Sequence, residues 1–375
     1  MDEELLRWGG RNNYAPMPNI PPTTSRQPVL LASQMLWLKK STLFHPLYHS
    51  QSPWITNSFH SSWIHFLTSI ASQQDSVDDI QYITSLDLES NIESAAKDKI
   101  FFYHRGVKEL SHGKPILMLL HGYPQTWRHV VALLPQDIPQ FIPDLPRYGR
   151  SSPLSIPHDK RNVGHAILKA LYPILPPSHE PTPIILAGHD CGARICHRLA
   201  VNTPCFSRFT FKGTILMDIA LITGHLANLN LATAMINSLG AETFIKSNIE
   251  RWAGSNPAAV ARSNEQDAKS VYTSSFKYDS VIKASCDDYR AGAFEDVTQQ
   301  EEDQRAGKKL DVDVLALYSA GYLGSRYDVE EVWREWMGSG VLEVIGFGDG
   351  VGHFIAEEAP GKTSEAIQRF YTRHG

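Results

Sequence analysis

Residues 183–187 (Pro-Ile-Ile-Leu-Ala) form a short apolar run that ends at Gly188-His189-Asp190-Cys191-Gly192, and Ile195, Leu199 and Ala200 then recur at helical spacing. A run that is apolar at nearly every position reads as a strand buried on both faces, which needs helices above and below it. Such a strand passing straight into a helix belongs to a parallel sheet with crossover helices. The rest of the chain from about residue 81 fits that frame. Strands are expected at 83–88, 99–104, 115–120, 141–144, 213–220, 313–319 and 342–347, and a helix at 163–171 must stop before Pro173.

Residues 221–312 carry helical character without a strand signal. That is too long for one crossover helix, so 222–309 reads as an inserted helical cap, with the polar run 296–309 as its exit linker. The core is then 81–221 together with 310–375. Residues 1–80 read differently. They hold only 11 of the 75 charged residues but 11 serines and seven prolines, which suits an irregular N-terminal extension of unknown role, poorly ordered in part. The stretch 30–67 could supply one or two short packed helices. His45, His49, His60 and His65 lie there without cysteine or carboxylate partners, so no metal site is expected.

Composition narrows the partners. With 42% hydrophobic and 20% charged residues the chain can bury a large core. A net charge of -5 gives no electrostatic footprint for nucleic acid or an anionic membrane. Cys191, Cys196, Cys205 and Cys286 are too few for a disulfide scaffold, and the apolar run 29–38 is too short for a bilayer span. The opening Met-Asp-Glu-Glu is acidic where a secretory signal is basic. A cytoplasmic protein acting on a small molecule without a cofactor is expected, its oligomeric state left open.

Gly188-x-Asp190-x-Gly192 between strand and helix has the form of a nucleophile elbow, where a sharp turn pushes one side chain out above the sheet. Esterases place serine there; this chain has aspartate. His121-Gly122-Tyr123-Pro124 follows an apolar strand, so the amides of Tyr123 and Cys191 are placed as an oxyanion hole. Gly352-His353-Phe354 follows the last strand and offers His353 as general base. The acid that orients it is Asp218, at the end of the strand 213–220, or Asp328, which follows the strand 313–319. Asp218 ranks first because its apolar neighbours imply burial, where an unpaired carboxylate is costly. A carboxylate nucleophile suits displacement at saturated carbon bearing a strained or stable leaving group, giving an alkyl ester of Asp190 that activated water hydrolyses.

With HGYPQTW (121–127), DLPRYGRSS (144–152), LAGHDCGAR (186–194), DYRAGA (288–293) and GHFIAEEAP (352–360), the chain from about 81 to 375 resembles the α/β-hydrolase superfamily, in its epoxide hydrolase and haloacetate dehalogenase branch. The resemblance implies an α/β-hydrolase fold, a mostly parallel sheet flanked by helices with an inserted cap. It also implies Asp190 as nucleophile, His353 as base, Asp218 as acid and Tyr289 as the cap tyrosine that hydrogen-bonds epoxide oxygen or halide. Trp127, Arg194 and Phe354 become candidate substrate-binding walls.

The chain departs from that pattern in four places. Cys191 stands where haloacetate dehalogenases carry the first of two carboxylate-clamping arginines, leaving Arg194. The segment after Asp218 runs early into His225-Leu226-Ala227-Asn228, without a His-Trp pair, so the cap reads as shortened. Arg147 replaces the usual glycine before Tyr148, and residues 1–80 have no counterpart. Losing one charge-assisted contact removes ~1.5–3 kcal/mol from binding of a carboxylate substrate, which favours an epoxide over a haloacid. The expected activity is hydrolysis of an epoxide or similar electrophile. The alternatives are haloacetate dehalogenase-like C–halogen hydrolysis and a non-catalytic ligand-binding homologue.

Overall fold

The computed structural model describes residues 85–375 apart from 96–97, 126, 203–206, 220–235, 237, 239, 266–267 and 277–278, all within the unit His65–Gly375. The expectations for residues 1–80, including the histidines at 45, 49, 60 and 65, and for the segment around His225 lie outside the described residues.

Eight strands, β1 (Glu89–Ala95), β2 (Asp98–Arg105), β3 (Ile116–Leu120), β4 (Gln140–Pro143), β5 (Thr182–His189), β6 (Phe209–Met217), β7 (Asp313–Ser319) and β8 (Leu342–Phe347), form one sheet in the order β1-β2-β4-β3-β5-β6-β7-β8. β2 is antiparallel to both β1 and β4, and every other pairing is parallel. β3 is wholly buried, as its uniformly apolar sequence requires. Helices α1 (Arg128–Val131), α2 (Lys160–Leu171) and α3 (Cys191–Val201) connect the first strands. An insertion between β6 and β7 holds α4 (Ala241–Trp252), α5 (Pro257–Arg262), α6 (Ala268–Ser275), α7 (Asp279–Ala293) and α8 (Glu295–Arg305). After β7 come α9 (Val329–Arg334), α10 (Ile355–Glu358) and α11 (Pro360–His374).

The sheet separates two cores. One packs Met118, Leu120, Ile184 and Leu186 against α2, α3 and the insertion; the other packs Leu117, Leu119, Ile185 and Met217 against α1 and α11. Among the described residues no helix is long and apolar enough to cross a membrane.

Three expected elements are corrected. The first described strand is β1, and residues 85–88 of the expected strand are not strand: Asp87 adopts φ 58 and turns the chain before β1. β1 is a polar edge strand (Glu-Ser-Asn-Ile-Glu-Ser-Ala), so apolar pattern could not reveal it. The helix expected at 163–171 starts at Lys160, because the Asp159 side chain accepts from the amides of Arg161 and Asn162 and caps it. The stretch taken as an exit linker is mostly α8, whose inward face carries the buried carboxylates Asp296 and Asp303 instead of apolar side chains. Asp303 pairs with the equally buried Arg198 of α3.

Candidate active site

Tyr123, Asp190, Asp218 and His353 follow β3, β5, β6 and β8, at the carboxyl ends where parallel α/β sheets gather their sites. Three of these strands are neighbours, β3 beside β5 and β5 beside β6. The turn at Asp190 has φ 47 and ψ -116, a strained conformation for a residue with a side chain. The flanking glycines permit it. A Cβ on Gly188 would overlap the Gly192 backbone, and one on Gly192 would overlap the carbonyl of Leu120. Strand, helix and turn thus meet backbone to backbone, which only glycine allows.

The Tyr123 amide donates to Asp190 Oδ2 at 3.2 Å. Cys191 is the first residue of α3, so its amide has no acceptor within the helix and faces the same end. His121 ties this loop to the next one: its Nε2 accepts from the Leu145 amide at 3.0 Å while Nδ1 faces the Gly122 carbonyl at 2.8 Å.

His353 Nδ1 donates to Asp218 Oδ2 at 2.7 Å, which leaves Nε2 outside that bond. Asp218 Oδ1 accepts from the Ser319 amide at 2.6 Å and the Ser319 hydroxyl at 2.5 Å, so both its oxygens are engaged. Burial opposes charge on His353, but the hydrogen bond to Asp218 and the charges of Asp218 and Asp190 outweigh it and hold its pKa above 6.5. Burial likewise opposes charge on Asp190. There His353, His189, Arg194 and the Tyr123 amide prevail, and the carboxyl lies below its usual range.

The other expected residues divide. The Tyr289 ring, on α7, meets Tyr123 edge-on with centroids 5.6 Å apart, and burial together with the Asp190 charge keeps its phenol protonated. Arg194 lies on α3 with its guanidinium against Gly292 of α7. The Phe354 ring lies 5.1 Å from the His353 ring. Asp328 is not brought to the site. It is exposed and caps α9 through the Glu331 amide. Trp127 packs in the α1 and α11 core, on the face opposite the insertion. The Cys191 thiol donates to Asp288 Oδ2 at 3.1 Å.

Several contributors escaped the sequence reading. His189 is buried with its Nε2 2.8 Å from the His353 carbonyl and its Nδ1 against the Gln125 amide. Its pKa is driven down to about 4, chiefly by burial, so the ring is neutral. Trp252 closes α4 with its carbonyl accepting from the His353 amide at 2.9 Å. Glu358 Oε2 accepts from Gly352 at 2.8 Å and Gly254 at 3.0 Å. His189 stood inside the elbow motif and Glu358 inside GHFIAEEAP, but a buried polar anchor carries no periodic signal.

A sequence model of the alpha/beta hydrolase family matches residues 117–366, and the chain belongs to that family. Among relatives, the fluoroacetate dehalogenase of Burkholderia sp. is 25% identical over 274 residues, covering 68% of this chain and 86% of that protein. The soluble epoxide hydrolase of Corynebacterium sp. (strain C12) is 26% identical over 278 residues, covering 68% and 89%. The solved structure of an alpha/beta hydrolase from Nostoc sp. PCC 7120 superposes with a TM-score of 0.60 at 30% identity, over 76% of this chain and 98% of that one.

Proposed function

We propose that the chain is a cofactor-independent hydrolase that opens an epoxide, or a similarly strained electrophile, through an alkyl ester on Asp190. The observation that carries the proposal is a carboxylate at the elbow, met by the Tyr123 amide at 3.2 Å and accompanied by the hydrogen-bonded His353–Asp218 pair. The likeness to a Corynebacterium epoxide hydrolase supports it.

In the first step an Asp190 oxygen attacks one epoxide carbon and that C–O bond breaks, its electron pair passing to the ring oxygen. Tyr289 donates to this oxygen, since its raised pKa keeps it a donor at neutral pH. In the second step His353 Nε2 takes a proton from water, whose oxygen attacks the carbonyl carbon of the ester. The amides of Tyr123 and Cys191 hold the resulting oxyanion. Collapse returns Asp190 as carboxylate and releases the diol, while the proton on His353 restores the tyrosine or leaves with product. Asp218 holds the ring and stabilises its charged form. The helical insertion serves as the cap that excludes bulk water.

The fluoroacetate dehalogenase relative favours a second reading, in which the same ester forms by displacement of halide. Cys191 weakens it, because the thiol is a neutral donor already committed to Asp288 and cannot bind a carboxylate as arginine would.

Intact-protein mass of a His353→Gln variant, mixed with epoxides and haloacetates, tests the proposal. Without its base the protein should form the ester and fail to hydrolyse it. A gain equal to a whole epoxide, mapped to Asp190, supports epoxide opening. A gain equal to an acid less its halide supports dehalogenation. No adduct across the panel, with no turnover by the wild-type protein, sinks both and leaves a ligand-binding module.

A further inference from the structure

Two successive aspartates of α7 both end on the core. Asp287 forms a close ion pair with Arg147, in the loop after β4, and meets Lys283 of its own helix at 3.1 Å. Asp288 is buried. Its Oδ1 accepts from Lys160 Nζ at 2.7 Å and its Oδ2 from the Cys191 thiol at 3.1 Å. Lys160, also buried, lies 3.4 Å from Asp296 of α8 and gives its own amide to that carboxylate at 2.8 Å. The next residue along α7 is Tyr289.

Arg147 is the informative member. Its φ is 73, in the left-handed region that strains a residue with a side chain and costs glycine nothing. A turn alone would be better served by glycine. The arginine is largely buried, and what it gains is Asp287. Lys160 makes the same point differently, since an ammonium this buried is tolerated only among carboxylates. Adjacent residues on a helix stand about 100° apart, so two anchors in sequence fix both the roll and the height of α7.

We propose that Arg147 and Lys160, acting through Asp287 and Asp288, are positioning residues that lock α7 to the nucleophile elbow and hold Tyr289 over Asp190, the Cys191 thiol closing the link beside the nucleophile. What Tyr289 does there rests on the ester reading; the lock itself does not.

Arg147→Gly removes the ion pair and the backbone strain together, so it separates positioning from stability. The melting temperature should not fall. Amide hydrogen exchange across 281–293 should quicken about tenfold or more, with β3 and β5 unchanged. In the His353→Gln background, adduct formation should slow about tenfold, and Arg147→Lys should restore both readouts. A lower melting temperature with no exchange change confined to α7 would mean an ordinary structural contact and overturn the lock. Faster exchange with an unchanged adduct rate would overturn the positioning role. If no adduct forms even with Arg147 intact, the ester reading fails and exchange alone decides: unchanged, the lock is wrong; quickened, it stands.

Discussion

At the scale of single residues, the charge on Asp190 is one of the causes that raise the His353 pKa in the resting site. On the proposed mechanism ester formation would remove that charge, so His353 should become a weaker base in the intermediate than in the free protein, and be unprotonated to a lower pH. The acid limb of ester hydrolysis is therefore expected below the His353 titration of the free protein. Single-turnover hydrolysis against pH, beside a ring-proton titration by NMR, compares the two; coincident midpoints would show that Asp190 and His353 are not coupled. Asp218→Asn tests the other partner. Asp218 accepts from the ring and from Ser319 on separate oxygens, so an amide that donates to Ser319 or to the ring loses one of these bonds. By analogy with other triads turnover should fall on the order of 10⁴-fold, mainly in ester hydrolysis, with adduct accumulating on Asp190. An equal loss in adduct formation would mean that the site had simply misfolded.

At the scale of elements, the loop bearing His353 is held from the insertion as much as from β8. Glu358 on α10 accepts from Gly352 in that loop and from Gly254 just after α4, while the Asn256 amide donates to the Gly350 carbonyl at 3.1 Å. Glu358→Ala strands two amides and should destabilise the fold by about 2–4 kcal/mol. Glu358→Gln retains an acceptor and should recover most of it, as denaturant unfolding would show; equal losses would point to the charge rather than the acceptor. These anchors also mark where the sequence stopped being legible. β3 and β5 could be read because burial on both faces demands apolar residues throughout. Asp190 and His353 could be read because glycine neighbours and strand ends restrict where they sit, and Asp218 because a carboxylate ending an apolar strand needs a partner. α8 could not be read, since it docks through Asp296 and Asp303, and hydrophobic periodicity is blind to a face held by ion pairs. Trp127 failed for a related reason: being aromatic near the site does not say which face of the sheet a side chain joins.

At the scale of the whole molecule, one sheet separates two cores, and the chain has buried several titratable groups around it, some of them outside the site. His197 is the simplest. It lies on α3 between Trp333 and Trp336, with ring centroids at 5.8 and 4.5 Å, and burial first, then the Arg198 charge, drives its pKa down to about 3. A histidine whose folded pKa is depressed binds protons better when unfolded. Its contribution is therefore intact above about pH 6.5 and is lost as pH falls from there toward 3. His121, His158 and His189, each held near 4, act in the same direction. Asp144 opposes them: burial raises its pKa to about 6, so its contribution is complete below 3.8 and lost as pH rises through 6. The wild-type curve mixes these slopes, but a comparison with His197→Phe isolates one. Phenylalanine keeps an aromatic ring between the two tryptophans and cannot be protonated. Relative to wild type, the variant should gain about 2–3 kcal/mol of unfolding free energy between pH 7 and pH 4.5, since each pKa unit is worth about 1.4 kcal/mol. Denaturant unfolding at the two pH values measures the difference directly. A gap that does not change with pH would mean that His197 is protonated in the folded chain, or that the acid-labile groups lie elsewhere.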